Sequence, residues 1–135
     1  MDKKLAIASD IKNICVVEQL IDEINKKYNL DKDIYGNILI AVLEAVTNSV
    51  IHGNKRNVDK TVHLEFTTTD DHFVFTIEDQ GPGFDYTTVP DPTRPINVEK
   101  PHGRGIFLMI KLSDEILFEN KGRRVILKFV RGSHK

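Results

Sequence analysis

The sequence predicts an α/β two-layer sandwich, with a mixed, mostly antiparallel sheet and its helices packed on one face. Three observations predict it. Val62, Leu64 and Phe66 alternate with polar residues, as do Phe73, Phe75 and Ile77, and Asp70-Asp71 lies between the two runs; this is the pattern of an antiparallel hairpin with one buried face. Two long segments nearer the N-terminus instead carry apolar residues at helical spacing. The whole order reads β-α-α-β-β-loop-α-β-β, which groups helices and strand pairs rather than alternating them as a parallel sheet requires.

Taken in order, residues 4–9 read as a short strand. Ser9 or Asp10 can cap a helix over about 11–28, with Ile11, Ile14, Val17, Ile21 and Ile24 along one face. After a polar break at 29–32, a second helix spans about 33–53 and stops at Gly53-Asn54, a pair suited to a left-handed C-terminal cap. The hairpin follows. Residues 80–101 hold all 5 prolines of the chain and read as a long loop, a length that in a compact domain usually serves a function or stays unstructured. A third helix occupies about 105–113, and strands over about 114–120 and 123–131 join through Asn120-Lys121-Gly122.

The 135 residues suffice for one domain, 1–135, with a proper core. A formal net charge of -1 argues against an electrostatic nucleic-acid binder. Cys15 is the single cysteine, which excludes an internal disulfide and a cysteine metal cluster. It is expected to be buried or half-buried on the first helix. Residues 1–30 lack the pattern of a signal peptide, and 34–51 carries Asn37, Glu44, Thr47 and Asn48, too polar for a membrane span. A cytoplasmic protein with no membrane partner is the expectation.

Three motifs carry chemistry. Glu44 is the one charged side chain between Ile34 and Ile51, and Asn48 sits one turn beyond it on the same face. A carboxylate on a largely apolar helix is costly unless something pairs with it or uses it. Such a carboxylate and amide suit a hydrated magnesium ion or the activation of a nucleophile, although a plain polar pair at a helix edge has the same spacing. The second motif is Asp79-Gln80-Gly81-Pro82-Gly83, an acidic strand end followed by glycines that let a ligand approach the backbone. In isolation it also describes an ordinary turn. The third is His102-Gly103-Arg104-Gly105-Ile106, immediately before an apolar helix, where free N–H groups and the positive end of the helix favour an anion such as phosphate. It is neither a P-loop nor a dinucleotide-binding fingerprint.

Together, E-A-V-T-N-S-V-I-H-G from Glu44, DQGPGF from Asp79 and HGRGIFLM from His102 resemble the GHKL ATPase superfamily and its Bergerat fold, and within it the anti-sigma factor serine/threonine kinases. The resemblance spans nearly the whole chain. It departs from the usual pattern at Ile106, where leucine commonly follows the second glycine. The resemblance implies ATP and Mg²⁺ as cofactors. It implies Asn48 as the magnesium ligand, Glu44 as the general base, Asp79 as acceptor of a hydrogen bond from the adenine amino group, and Gly81 and Gly83 as the turn that admits the base. Gly103, Arg104 and Gly105 would meet the phosphates, and residues 84–101 would form a lid. Arg94, Lys100 and Arg104 are the basic candidates for the γ-phosphate. The implied partners are a sigma factor and an anti-anti-sigma protein, with a homodimer as the expected assembly.

Two functions compete: a kinase acting on the anti-anti-sigma partner, and a nucleotide-gated binding module with little or no transfer. A histidine kinase catalytic domain is disfavoured because the first histidine is His52, leaving no phosphoacceptor in a preceding helix. His52 is expected to cap or pack at the helix end, and His63 and His72 fall on polar hairpin positions.

Overall fold

The computed structural model describes residues 2–83 and 103–131. Strand β1 (Lys3–Ala8) leads through a single 3-10 turn, Ile11–Asn13, into α1 (Ile14–Tyr28). Asp10 caps that turn by accepting from the Lys12 N–H at 3.1 Å, and Asn29 ends α1 in the left-handed region at φ 48°. Helix α2 (Lys32–Asn48) starts at Asp31, whose side chain accepts from the N–H groups of Asp33 and Ile34 at 2.8 and 3.0 Å. Strands β2 (Thr61–Thr68) and β3 (His72–Glu78) form the expected hairpin, followed by α3 (Gly103–Leu112), β4 (Glu115–Glu119) and β5 (Arg124–Val130).

The five strands are ordered β1-β2-β3-β5-β4. All four pairings are antiparallel, so the described sheet contains no parallel pair. Strand alternation sends Leu64, Phe66, Phe75, Ile77 and Leu127 to one face, where they are buried. Phe66 and Phe75 lie 4.9 Å apart, centroid to centroid, within that layer. Helix α2 runs between α1 and α3 and touches β3 and β5. Ile38, Ala41, Val42, Ala45 and Val46 are its buried stripe. Burial of each such Ile or Val contributes roughly 1.5–3 kcal/mol against exposure. The opposite sheet face is polar, with Arg124 bridging Glu78 and Glu119 at 3.1 and 3.0 Å.

By length and composition Lys32–Gly53 would suffice to cross a membrane. Its apolar stripe is instead consumed by the other two helices and the sheet, as expected of a core helix.

Two expectations need correction. Gly53-Asn54 is not a left-handed cap: α2 loosens after Asn48 into a π-helical turn, Ser49–Gly53, and the left-handed residues come later, at Lys55 and Arg56. Gly53 is required there for space, as the site geometry makes plain. Cys15 is exposed, because the buried face of α1 runs through Val17, Leu20, Ile21 and Ile24, and position 15 points away from it.

Candidate functional site

Below the end of α2, a small recess of about 40 Å³ opens to solvent. Ala45, Ile106, Met109, Phe118 and Val125 supply apolar walls, while Asn48, Ser49, His52, Asp79 and Arg123 supply polar groups. The π-helical turn brings Ser49, His52 and Gly53 to this wall together. Such wide turns inside helices recur at functional sites because they redirect side chains at the expense of regular hydrogen bonding.

Asp79 follows directly on β3 and is 9% exposed. Burial pushes its carboxyl above the usual aspartate range, and hydrogen bonds from the Gly81 N–H and the Ser49 side chain partly offset this. The Gly81 N–H lies 2.8 Å from Asp79 Oδ1, and the Asp79 N–H donates to the Arg123 carbonyl at 3.0 Å. The turn presses against the π-helical segment. A Cβ on Gly81 would run into the Gly53 carbonyl oxygen, and one on Gly53 would run into the Asp79 carboxylate. Both positions therefore need glycine for clearance. Gly83 has a different reason: it sits at φ 83°, against the Lys121 carbonyl.

Glu44 and Asn48 stack on α2 as their spacing requires, and both are half-buried. Helix α3 meets them at Gly105. A Cβ there would stand 2.9 Å from Glu44 Oε1, 3.3 Å from Asn48 Oδ1 and 3.4 Å from Asn48 Nδ2. The glycine thus brings the first turn of α3 onto the carboxylate–amide pair. Asn48 Nδ2 is buried and has no hydrogen-bond partner among the described residues.

His52 lines the recess, and burial, reinforced by Arg56, lowers its basicity. Arg104 is exposed on the first turn of α3 and is not among the described residues that line the recess. Arg94, Lys100 and the expected lid over 84–101 fall outside the described residues. His63 is exposed and His72 half-exposed, as expected for polar hairpin positions.

The sequence reading missed Ser49, Gly122 and Arg123. Ser49 stands next to Asn48 in a recognisable motif and was within reach of that reading. Arg123 carried no local signal: it arrives from the β4–β5 turn, and its Nη1 donates to the Gly81 carbonyl at 3.4 Å across 42 positions of sequence.

Chemically, an apolar slot with one buried carboxylate suits a flat heteroaromatic ring bearing an N–H donor. The α3 N-terminus beside a carboxylate and an unmatched amide suits an anion with its counter-cation. Residues 7–129 of the chain match the histidine kinase-like ATPase domain. The chain belongs to that family. Nucleotide use follows for this ATPase domain, and the motif resemblance is upheld. Among curated proteins, the chain is 35% identical over 98 residues to an anti-sigma F factor of Clostridium perfringens, covering 67% of this chain and 69% of that one. It is 34% identical over 101 residues to the serine-protein kinase RsbW of Staphylococcus epidermidis, covering 68% and 64%. To the serine-protein kinase RsbW of Oceanobacillus iheyensis it is 32% identical over 88 residues, covering 61% of this chain and 56% of the relative's length.

Proposed function

We propose that this ATPase domain is a cytoplasmic serine/threonine protein kinase of the anti-sigma factor type. It binds Mg-ATP, phosphorylates an anti-anti-sigma protein and sequesters a sigma factor, acting as a homodimer. The observation that carries the reading is the meeting of Gly105 with Glu44 and Asn48, the last of which lines the recess together with the buried Asp79. The names of the similar proteins support the serine-kinase activity and a sigma factor as partner.

In this reading Asp79 accepts a hydrogen bond from the adenine amino group, and Gly81 and Gly83 shape the turn against which the base packs. Ile106 and Met109 flank the ring. Gly103, Arg104 and Gly105 receive the phosphates at the positive end of α3. The Asn48 amide is the group that holds Mg²⁺, an ion that favours oxygen ligands and keeps several waters, so one protein ligand is in keeping with its habits. The metal supplies charge neutralisation on the phosphates. Glu44 takes the proton of the partner's hydroxyl as that oxygen bonds to the γ-phosphorus. The bond from the γ-phosphorus to the bridging oxygen breaks, and ADP departs with the electron pair. Positioning and charge do most of the work in such transfers, so a base contributes on the order of 10²–10⁴.

The test is transfer of labelled γ-phosphate to the anti-anti-sigma protein by the purified chain with Mg²⁺. Label on a partner serine or threonine is expected, with Glu44→Gln reducing it by at least about 100-fold while ATP binding persists. Comparable turnover in Glu44→Gln would remove the base assignment. ATP binding with no transfer to partner or water would leave a nucleotide-gated binding module.

A further inference from the structure

The geometry points to Asn54 as a positioning residue that sets the base-recognising carboxylate of Asp79. The inference rests on the nucleotide reading of the recess. Asn54 is 1% exposed, and it does not line the recess itself. Its side chain faces away, toward the place where three segments meet. Nδ2 donates to Ser9 Oγ at 2.9 Å and to the Thr61 carbonyl at 3.1 Å. Oδ1 accepts from the backbone N–H of Gln80 at 2.7 Å. Gln80 is the residue between Asp79 and Gly81, so this bond seizes the recognition turn at its middle.

The anchor on the other side is the sheet. Ser9 Oγ donates to the Lys60 carbonyl at 2.7 Å, and the Gln80 side chain accepts from the Thr61 N–H at 2.7 Å. Thr61 opens β2, so the turn is tied to a strand end through both its backbone and its side chain. Asn54 follows the π-helical turn directly, with its N–H bonded to the Ser49 carbonyl at 2.8 Å. One amide therefore joins the helix end that carries Ser49 and Gly53 to the turn that carries Asp79. Gly53 and Gly81 pack with no room for a side chain between them, and the bond from the Gln80 N–H to Asn54 holds the two segments together. A site that reads a base by a buried hydrogen bond discriminates through the placement of that bond. Its fidelity then depends on what fixes the carboxylate from behind.

The experiment is calorimetric titration of the whole chain with Mg-ATP and with Mg-GTP, alongside thermal melting. In Asn54→Ala, ATP affinity is expected to fall about tenfold with GTP little changed, the size of effect expected for one buried hydrogen bond left unmade. Asn54→Asp keeps an acceptor for the Gln80 N–H and should retain the preference for ATP even if it melts earlier. Should Asn54→Ala not fold, Asn54→Ser serves: its hydroxyl is too short to reach Gln80 and should lose the preference likewise. A lower Tm with an unchanged ATP-to-GTP ratio in the alanine or serine variant would overturn the inference and make Asn54 a fold residue only. Equal loss of the ratio in the aspartate and alanine variants would overturn it too. An unaltered chain that binds neither nucleotide, or both alike, would remove the nucleotide reading of Asp79 and this inference with it.

Discussion

The Asp79 turn and the α2–α3 contact, which meet the recess through Asp79 and Asn48, are built on different terms. At the Asp79 turn the protein satisfies itself. The carboxylate takes the Gly81 N–H, Gln80 is held by Asn54, and glycine meets glycine without room for a methyl group. At the α2–α3 contact the protein leaves something open. Gly105 brings a helix N-terminus onto Glu44 and Asn48, and a buried amide nitrogen finds no partner among the described residues. A buried polar group without a partner costs about 1–3 kcal/mol, so it persists where a ligand completes it. In the nucleotide reading proposed above, the Asp79 turn is preorganised for one shape, while the Asn48 side is finished by what binds.

The largest expected effect would break the preorganised turn. Gly81→Ala places a methyl group inside the Gly53 carbonyl oxygen, backbone against backbone, and neither side can rotate away. We expect loss of ATP binding by more than about 100-fold and a melting temperature lowered by several degrees, since overpacking of this kind costs about 1–3 kcal/mol or more. Titration and thermal melting check it. Wild-type affinity in Gly81→Ala would mean that the turn does not need its close approach.

The Asn48 side should respond in the opposite manner. Asn48→Ala removes an amide that the free protein leaves partly unmatched. Its melting temperature should therefore stay within a few degrees of wild type or rise, while magnesium-dependent ATP affinity falls at least about tenfold. A large loss of stability, or affinity unchanged with magnesium present, would show that the amide is not reserved for a ligand.

A smaller, pH-dependent effect sharpens the contrast. Burial raises the folded-state pKa of Asp79 above its unfolded value. Between those two values the folded state binds more protons than the unfolded state, so stability falls as pH rises through that window and then stays lowered. Asp79→Asn removes that titration and keeps an oxygen to accept the Gly81 N–H. The variant should melt at or slightly above the wild-type temperature at neutral pH, with a flatter dependence on the acid side, while losing ATP affinity. Melting curves across the acid to neutral range check the sign; a wild-type stability that rises with pH in that window relative to Asp79→Asn would contradict it.

Much of this was legible without coordinates, and the reasons differ by element. Alternation over 62–66 and 73–77 reads directly as two strands, because one face of each must be buried. The i, i+4 relation of Glu44 and Asn48 follows from helix geometry alone, and the structure keeps it. The end of α2 was misread because Gly53 has two uses, a left-handed cap or a gap for a neighbour, and a one-dimensional pattern favours the first. Cys15 was misread because a single helical position is assigned to a face only once the neighbouring elements are placed. Arg123 and Asn54 were beyond reach: the first contacts Gly81 across 42 positions and the second contacts Gln80 across 26.

By itself, the sequence determined the order of the elements, the hairpins, the apolar stripe of α2 and the three motifs that lead to a nucleotide-using ATPase domain. Each of these depends on residues a few positions apart, where backbone geometry dictates what shares a face. Tertiary structure alone decided that all the described strand pairs are antiparallel, that α2 leads into a π-helical turn, and that Gly105 closes on Glu44 and Asn48. It also decided that Asn54 and Arg123 both hold the Asp79 turn, the first from outside the recess and the second from its wall. Those outcomes depend on close packing between segments distant in the chain, where a few tenths of an ångström separate a contact from a clash.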